Sequence, residues 1–351
     1  MNRNDFPSAH DGWTAFFSTQ LTLDELATTV PARVVAVHRD RLVVSVAGGE
    51  QSFPPFRDGT DETEAATVGD WLLIDAATRH PARLLQRRSL FQRRAAGRSR
   101  ERQLIAANVD TLFVVSSCNQ DFNPARLERY LCLAHDAGVQ PVVVLTKADL
   151  CDRPADYVRT AERLSPGLVV ETVDARDASA VQRLRAWCNA GNTVALLGSS
   201  GVGKSTLANT LAGARLATQP VRADDDRGRH TTTARTLHRL AGGGWLLDTP
   251  GMRELALADG DDAVAAVFDD VLSLAARCRF NDCRHDGEPG CAIGAAVTAG
   301  ALDPARVARW RKLAAETAVN AESLAQRRAR ERAFGKMARH VMAHKRRQRG
   351  D

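Results

Sequence analysis

The chain has 351 residues, of which 44% are hydrophobic and 26% charged, and it carries a formal net charge of +6. That composition excludes a disordered chain and is sufficient for two or three domains with cores of their own. Seven cysteines, an odd number in a long chain, exclude a secreted disulfide framework. Met1 to Trp13 lacks the charged-then-apolar pattern of a signal sequence, and no apolar run reaches membrane-spanning length, so the expectation is a cytoplasmic protein that works away from membranes.

Residues 1–28 are polar and without periodicity, and they read as a flexible tail. From Pro31 short alternating segments follow: Arg33–Val37, Leu42–Val46 and Trp71–Ile74, separated by Gly48-Gly49, Pro54-Pro55 and Val68-Gly69-Asp70. This pattern predicts a small antiparallel barrel over residues 29–90, and at that size an OB-type barrel, a fold that commonly binds oligonucleotides. Arg87, Arg88, Arg93, Arg94, Arg98, Arg100 and Arg102 crowd the following stretch, a basic block that suits a polyanion or a solvated face.

An α/β region comes next. Asn108–Ser116, Pro141–Leu145 and Leu168–Thr172 read as buried strands and Pro124–Ala137 as a helix, which predicts a parallel sheet covered on both faces. Thr146-Lys147-Ala148-Asp149 directly follows the second of these strands. An acid at the carboxyl end of a parallel strand stands where such sheets bind ligands, and the two oxygens of Asp149 can accept from guanine N1 and N2 as a pair, a donor pair that adenine lacks.

The stretch on which the chain is organised is Gly198-Ser199-Ser200-Gly201-Val202-Gly203-Lys204-Ser205-Thr206, between the apolar run Thr193–Leu197 and a helix-like run from Leu207. Strand, glycine loop and helix are the setting of a phosphate-binding loop: glycines turn successive N–H groups inward and the helix adds the positive end of its dipole. Lys204 then reaches the β- and γ-phosphates, and the Ser205 hydroxyl suits Mg²⁺, which prefers a few oxygen ligands plus phosphate.

Gly228-Arg229-His230-Thr231-Thr232-Thr233 reads as a switch loop whose Thr232 joins the Mg²⁺ shell, against the blander reading of a charged surface loop. Asp248 ends another apolar run, suited to a Mg²⁺ role through water, and Gly251 can offer its N–H to a γ-phosphate. Cys278, Cys283, His285 and Cys291 place three thiols and an imidazole within fourteen residues, enough for a closed tetrahedral Zn²⁺ site, the alternative being buried free thiols. The other four cysteines, Cys118, Cys132, Cys151 and Cys188, read as buried small hydrophobes. Asp303–Ala318 predicts a helix with Asp303 as cap, followed by ten basic residues between Arg327 and Arg349 opposed by Glu331 alone, a segment suited to RNA.

These parts make a guanine-nucleotide switch in which the base-reading motif precedes the phosphate loop. With Ala107–Asp110, Asp121–Asn123, Arg126–Tyr130 and Arg229–Thr233, the sequence resembles the circularly permuted GTPases, in particular the ribosome small subunit-dependent GTPase A family (RsgA, also called YjeQ), over residues 30 to 320. The resemblance implies an α/β fold: a permuted P-loop GTPase domain at 91–255, flanked by the OB-type barrel at 29–90 and a helical zinc-binding domain at 256–325, with a basic tail at 326–351. It implies a monomeric GTP hydrolase that binds the small subunit and its rRNA, assists late maturation and departs on hydrolysis. It also implies Zn²⁺ on the Cys3His group and Mg²⁺ with GTP.

Two departures from the family pattern stand out. Thr146 replaces the more usual Asn, and the Ser-Ala turn that backs the base is hard to find, Val173-Asp174-Ala175 being the nearest candidate. Met252 occupies the place of a water-positioning glutamine, so His230, beside Lys204 in the catalytic role, is expected to orient the attacking water. Two other functions compete: an RNA-binding protein whose nucleotide site only stabilises the fold, and a P-loop kinase or ATPase, which Asp149 disfavours.

Overall fold

The computed structural model describes residues 7–8, 11–47, 49–59, 61–94, 102–213, 235–240, 242–248 and 261–321. In chain order the elements are α1 (Ala15–Ser18), α2 (Leu23–Thr28), β1 (Thr29–Val37), β2 (Leu42–Val46), β3 (Gly49–Phe53), β4 (Trp71–Asp75), β5 (Pro81–Leu84), β6 (Leu90–Arg94), β7 (Arg102–Ala107), β8 (Thr111–Ser117), α3 (Pro124–Asp136), β9 (Gln140–Thr146), α4 (Pro154–Glu162), β10 (Val169–Val173), α5 (Ala178–Val181), β11 (Thr193–Gly198), α6 (Lys204–Ala212), β12 (Arg235–Arg239), β13 (Trp245–Asp248), α7 (Asp261–Val267), α8 (Asp269–Ala275), α9 (Ala292–Thr298) and α10 (Pro304–Ala321).

The strands β10-β9-β8-β11-β13 run parallel in that order, and β12 closes the row antiparallel to β13. Their side chains alternate between two cores, as burial on both faces requires. Leu112, Val114, Val143, Leu145, Ala195 and Leu197 face the core shared with α3, α7 and the C-terminal helices. Phe113, Val115, Val142, Val144 and Val194 face the other, under α6. The same strands read as continuous apolar runs in the sequence for this reason.

The antiparallel strands β1–β5 form the N-terminal unit around Ala32, Val34, Leu42, Val44, Leu72 and Ile74. It is not a separate bead: Ala36 and Val37 of β1 pair with Thr236 and Arg235 of β12, so one sheet runs through both units. Arg33 fastens that joint. Its guanidinium donates to the Asp11 carbonyl at 2.9 Å and to Thr193 Oγ1 at 2.6 Å, and it lies over the rings of Trp71 and Trp245 at 5.7 and 5.2 Å. Burial pushes its pKa down to about 10, still far above neutrality.

Three sequence expectations need correction. The expected tail at 1–28 is, from Asp11 onward, packed structure: Phe17 is fully buried and sits with Trp71, Leu73 and Leu85, and Thr22 with Glu25 forms a capping box that starts α2. The apolar spacing of Trp13, Phe17 and Leu21 is sparse because it packs on a neighbouring unit, not on a core of its own. The arginine block is partly internal: Arg87 pairs with buried Asp70 at 2.7 Å and also donates to the Ala65 carbonyl, and Arg88 pairs with Asp110 at 2.7 Å. Cys151 is half-buried, whereas Cys118, Cys132 and Cys188 are buried as expected. The basic tail at 326–351 lies outside the described residues.

Candidate functional site: a glycine loop, the turn after β9 and a Cys3His cluster

β11 ends in Gly198, and a side chain there is impossible: a Cβ would stand 2.2 Å from the Val115 carbonyl of β8. The loop then turns through Gly201 at φ +77° and Gly203 at φ +92°, left-handed values that glycine adopts without strain. Between them Val202 is buried and pins the loop to the α6 side of the sheet. Lys204 opens α6 and its Nζ donates to the Ser199 carbonyl, folding the lysine back over the loop. Ser205 and Thr206 are exposed in the first turn of α6, and Ser200 is exposed at the loop tip.

Thr146, the last residue of β9, is fully buried. Its hydroxyl lies 2.6 Å from the Val202 carbonyl and 3.1 Å from the Ser116 carbonyl, its single proton shared between them. This contact brings the two distant motifs together. The backbone then turns left-handed at Lys147, φ +57°, into the short 3-10 turn Ala148–Leu150 that carries Asp149. Asp248 ends β13, opposite Thr236 and beside β11, so Thr146, Gly198 and Asp248 all close strands at the same edge of the sheet. His230, Thr232 and Gly251 lie outside the described residues.

Sequence reasoning named Arg126 and Asp174-Ala175 without foreseeing their contacts, and it missed Arg176. Arg126, in the first turn of α3, donates to the Ser199 hydroxyl. Arg176 donates to Asp149 at 2.8 Å and also pairs with Asp174, holding the Asp174 carboxyl below its ordinary range through that hydrogen bond. Thr210 of α6 donates to the Ala175 carbonyl at 2.7 Å, so the turn after β10 is tied to the phosphate-loop helix. The available signal was the sequence Asp174-Ala175-Arg176-Asp177, in which the carboxylates of Asp174 and Asp177 each accept a backbone N–H two residues on.

The four predicted metal ligands converge. The ligand atoms of Cys278, Cys283, His285 and Cys291 all lie within 4.8 Å of one another. His285 Nδ1 is 3.5 Å from the Cys278 sulfur and 3.7 Å from that of Cys291. A tetrahedral Zn²⁺, with Zn–S about 2.3 Å and Zn–N about 2.0 Å, sets S···N edges of roughly 3.5 Å, so the donor set fits that ion. Backbone N–H groups of Ala292 and Gly294 donate at 3.3 Å to the Cys278 and Cys291 sulfurs, contacts that would stabilise thiolate ligands. Arg311 and Glu288 brace the loop: Arg311 donates to the Arg284 and His285 carbonyls, and Glu288 accepts from the Arg284 and Asp286 N–H groups.

A glycine loop at the end of β11, reached in the chain only after β8, β9 and β10 of the same sheet, gives the strand order of a circularly permuted GTPase fold. Two solved structures share this fold: YjeQ from Thermotoga maritima, at a TM-score of 0.58, with 23% identity, 82% of this chain and 98% of that one covered, and YloQ, described as a circularly permuted GTPase, at a TM-score of 0.55, with 20% identity, 84% and 97% covered. The family described as RsgA GTPase matches residues 84–258.

Over 336 residues, 95% of this chain and 92% of the relative, it is 48% identical to the small ribosomal subunit biogenesis GTPase RsgA 2 of Vibrio parahaemolyticus. The RsgA of Mesorhizobium japonicum is 49% identical over 319 residues, 90% of this chain and 91% of the relative. The chain belongs to the RsgA GTPase family, and its activity is GTP hydrolysis.

Proposed function

We propose that this chain docks on the small ribosomal subunit late in its assembly and leaves when bound GTP is hydrolysed to GDP and phosphate. The observation that supports this reading is the 2.6 Å contact of Thr146 with the Val202 carbonyl, which ties the turn carrying Asp149 to the glycine loop. Relatives at 48% and 49% identity are named for small-subunit biogenesis, and they cover nearly the whole chain.

In this reading Lys147 and Asp149 bind the base, Thr146, buried with its hydroxyl on the Val202 and Ser116 carbonyls, ties that turn to the loop instead of touching the base as the sequence suggested, and Gly198–Thr206 and Gly251 bind the phosphates. Lys204 balances charge on the β- and γ-phosphates, and His230 orients the attacking water in place of the glutamine that Met252 displaces. Ser205, Thr232 and Asp248 would hold Mg²⁺, whose positive charge offsets that of the phosphates. Cys278, Cys283, His285 and Cys291 hold a structural Zn²⁺ that shapes a region too small to fold on apolar burial alone.

The division into barrel, GTPase domain, zinc-binding region and basic tail at 29–90, 91–255, 256–325 and 326–351 belongs to the same proposal. Five antiparallel strands in which β1 pairs with both β2 and β4 support an OB-type barrel. The barrel and the zinc-binding region are the surfaces for rRNA, and the protein acts as a cytoplasmic monomer. No described helix is long and apolar enough to cross a membrane.

Co-sedimentation with purified small subunits tests the docking. Binding that is tight with a non-hydrolysable GTP analogue and weak with GDP is expected. Equal recovery with both nucleotides would leave an RNA-binding protein whose nucleotide site is passive.

A further inference from the structure

We propose that Arg176 is a positioning residue for Asp149, and that through it the site discriminates for the 2-amino group of guanine. The inference rests on the reading of Asp149 as the base-reading carboxylate. Arg176 follows β10 by three residues and is clamped to Asp174 in three ways: its backbone N–H donates at 2.9 Å, its Nε at 3.1 Å and its Nη2 at 3.1 Å. The same Nη2 reaches across to Asp149 Oδ2 at 2.8 Å. Among the described residues, this is the side chain that holds Asp149.

Behind the clamp, Thr210 holds the Ala175 carbonyl, so the position of Arg176 is referred to α6 and the phosphate loop. A guanidinium fixed at one end to Asp174 thus sets where the Asp149 carboxylate stands.

The chemistry follows from the number of donors on the base. Guanine offers N1–H and the 2-amino group as a parallel pair, and one must land on each carboxylate oxygen, which requires the carboxylate plane to be aligned with the base. Each oxygen can accept twice, so the Arg176 bond on Oδ2 leaves room for the base. Hypoxanthine, the base of ITP, keeps N1–H and lacks the amino group, so it needs one oxygen and tolerates a turned carboxylate.

Loss of Arg176 therefore weakens GTP more than ITP. The effect is modest, because the Arg176 side chain is 66% exposed and an exposed ion pair is worth no more than about fivefold.

The test is steady-state hydrolysis of GTP and ITP by the full-length protein, R176Q, R176K and D149N, with XTP as a third nucleotide for D149N. R176Q is expected to raise KM for GTP about three- to fivefold at unchanged kcat, to move KM for ITP less than twofold, and to be partly rescued by R176K. D149N is expected to gain XTP hydrolysis, since its amide donates where the carboxylate accepted.

Equal losses for GTP and ITP in R176Q, or no change, would overturn the proposal and make Arg176 a general surface contact. Tighter GTP binding would overturn it in the other direction, making Arg176 a competitor of the base. Either result beside a D149N variant that has switched to XTP leaves the reading of Asp149 standing. A D149N variant that still prefers GTP removes that reading and the proposal together.

Discussion

Arg306 of α10 and Glu128 of α3 form an ion pair at 2.9 Å across the boundary between the C-terminal helices and the GTPase sheet, with side chains 7% and 0% exposed. Arg306 also donates to Asp270 and to the Val267 carbonyl, and Arg309 takes the second oxygen of Glu128 at 2.6 Å. The next residue on α3, Arg129, pairs with Glu316 of α10. Three positions earlier, Arg126 touches the glycine loop at Ser199. One helix therefore holds the loop at its first turn and the C-terminal region one turn later.

Breaking a buried pair by removing one charge costs about 3 kcal/mol, even where neighbours remain. Glu128→Gln is accordingly expected to lower the thermal midpoint by roughly 5 °C or more, read by circular dichroism or differential scanning fluorimetry. An unchanged midpoint would mean that the network is not carrying the interface.

Thr146→Val keeps the side-chain shape and removes the hydroxyl that bridges Val202 and Ser116. Two buried carbonyls lose their donor, at about 1–3 kcal/mol. Because one of them belongs to the phosphate loop, GTP affinity should fall on the order of tenfold, measurable by fluorescent-nucleotide titration. Wild-type affinity would show that the two motifs are positioned independently.

Phe17→Ala tests whether the N-terminal segment is part of the fold. Phe17 is fully buried against Trp71, with ring centroids 5.8 Å apart, and Trp13 stacks on it at 5.6 Å. A truncation of that size costs about 3–5 kcal/mol. The variant should unfold at clearly lower denaturant concentration, and unchanged unfolding would return the segment to the status of a tail.

Metal analysis should find one Zn²⁺ per chain. Cys283→Ser opens the four-ligand shell and is expected to lose the ion and to expose the 278–291 loop to protease. Native metal content with a wild-type digestion pattern would contradict a Cys3His site.

The parallel sheet was legible because strands buried on both faces appear as unbroken apolar runs, as Phe113–Val115 and Val142–Leu145 do. The strand, glycine loop and helix at 193–212 and the convergence of the cysteine cluster were legible because both are written in local spacing. What stayed hidden depends on partners remote in sequence. Nothing local to Arg33 announces Thr193, 160 residues away, and nothing in Arg87 says that Asp70 will take its charge.

Trp13, Phe17 and Leu21 recur every fourth residue, but the run is too short to announce a packed helix, and the surface that they cover, at Trp71, lies fifty or more residues further on. The β1–β12 pairing joins two units that the pattern treats as separate. Arg176 escaped for the same reason, since its partner Asp149 lies 27 residues earlier.

The most direct test of the account is GTP turnover by the full-length protein with and without purified small ribosomal subunits. A many-fold rise in turnover with active subunits, abolished by Lys204→Ala, is the predicted result. Turnover that stays at its basal rate in the presence of subunits active in translation would contradict it.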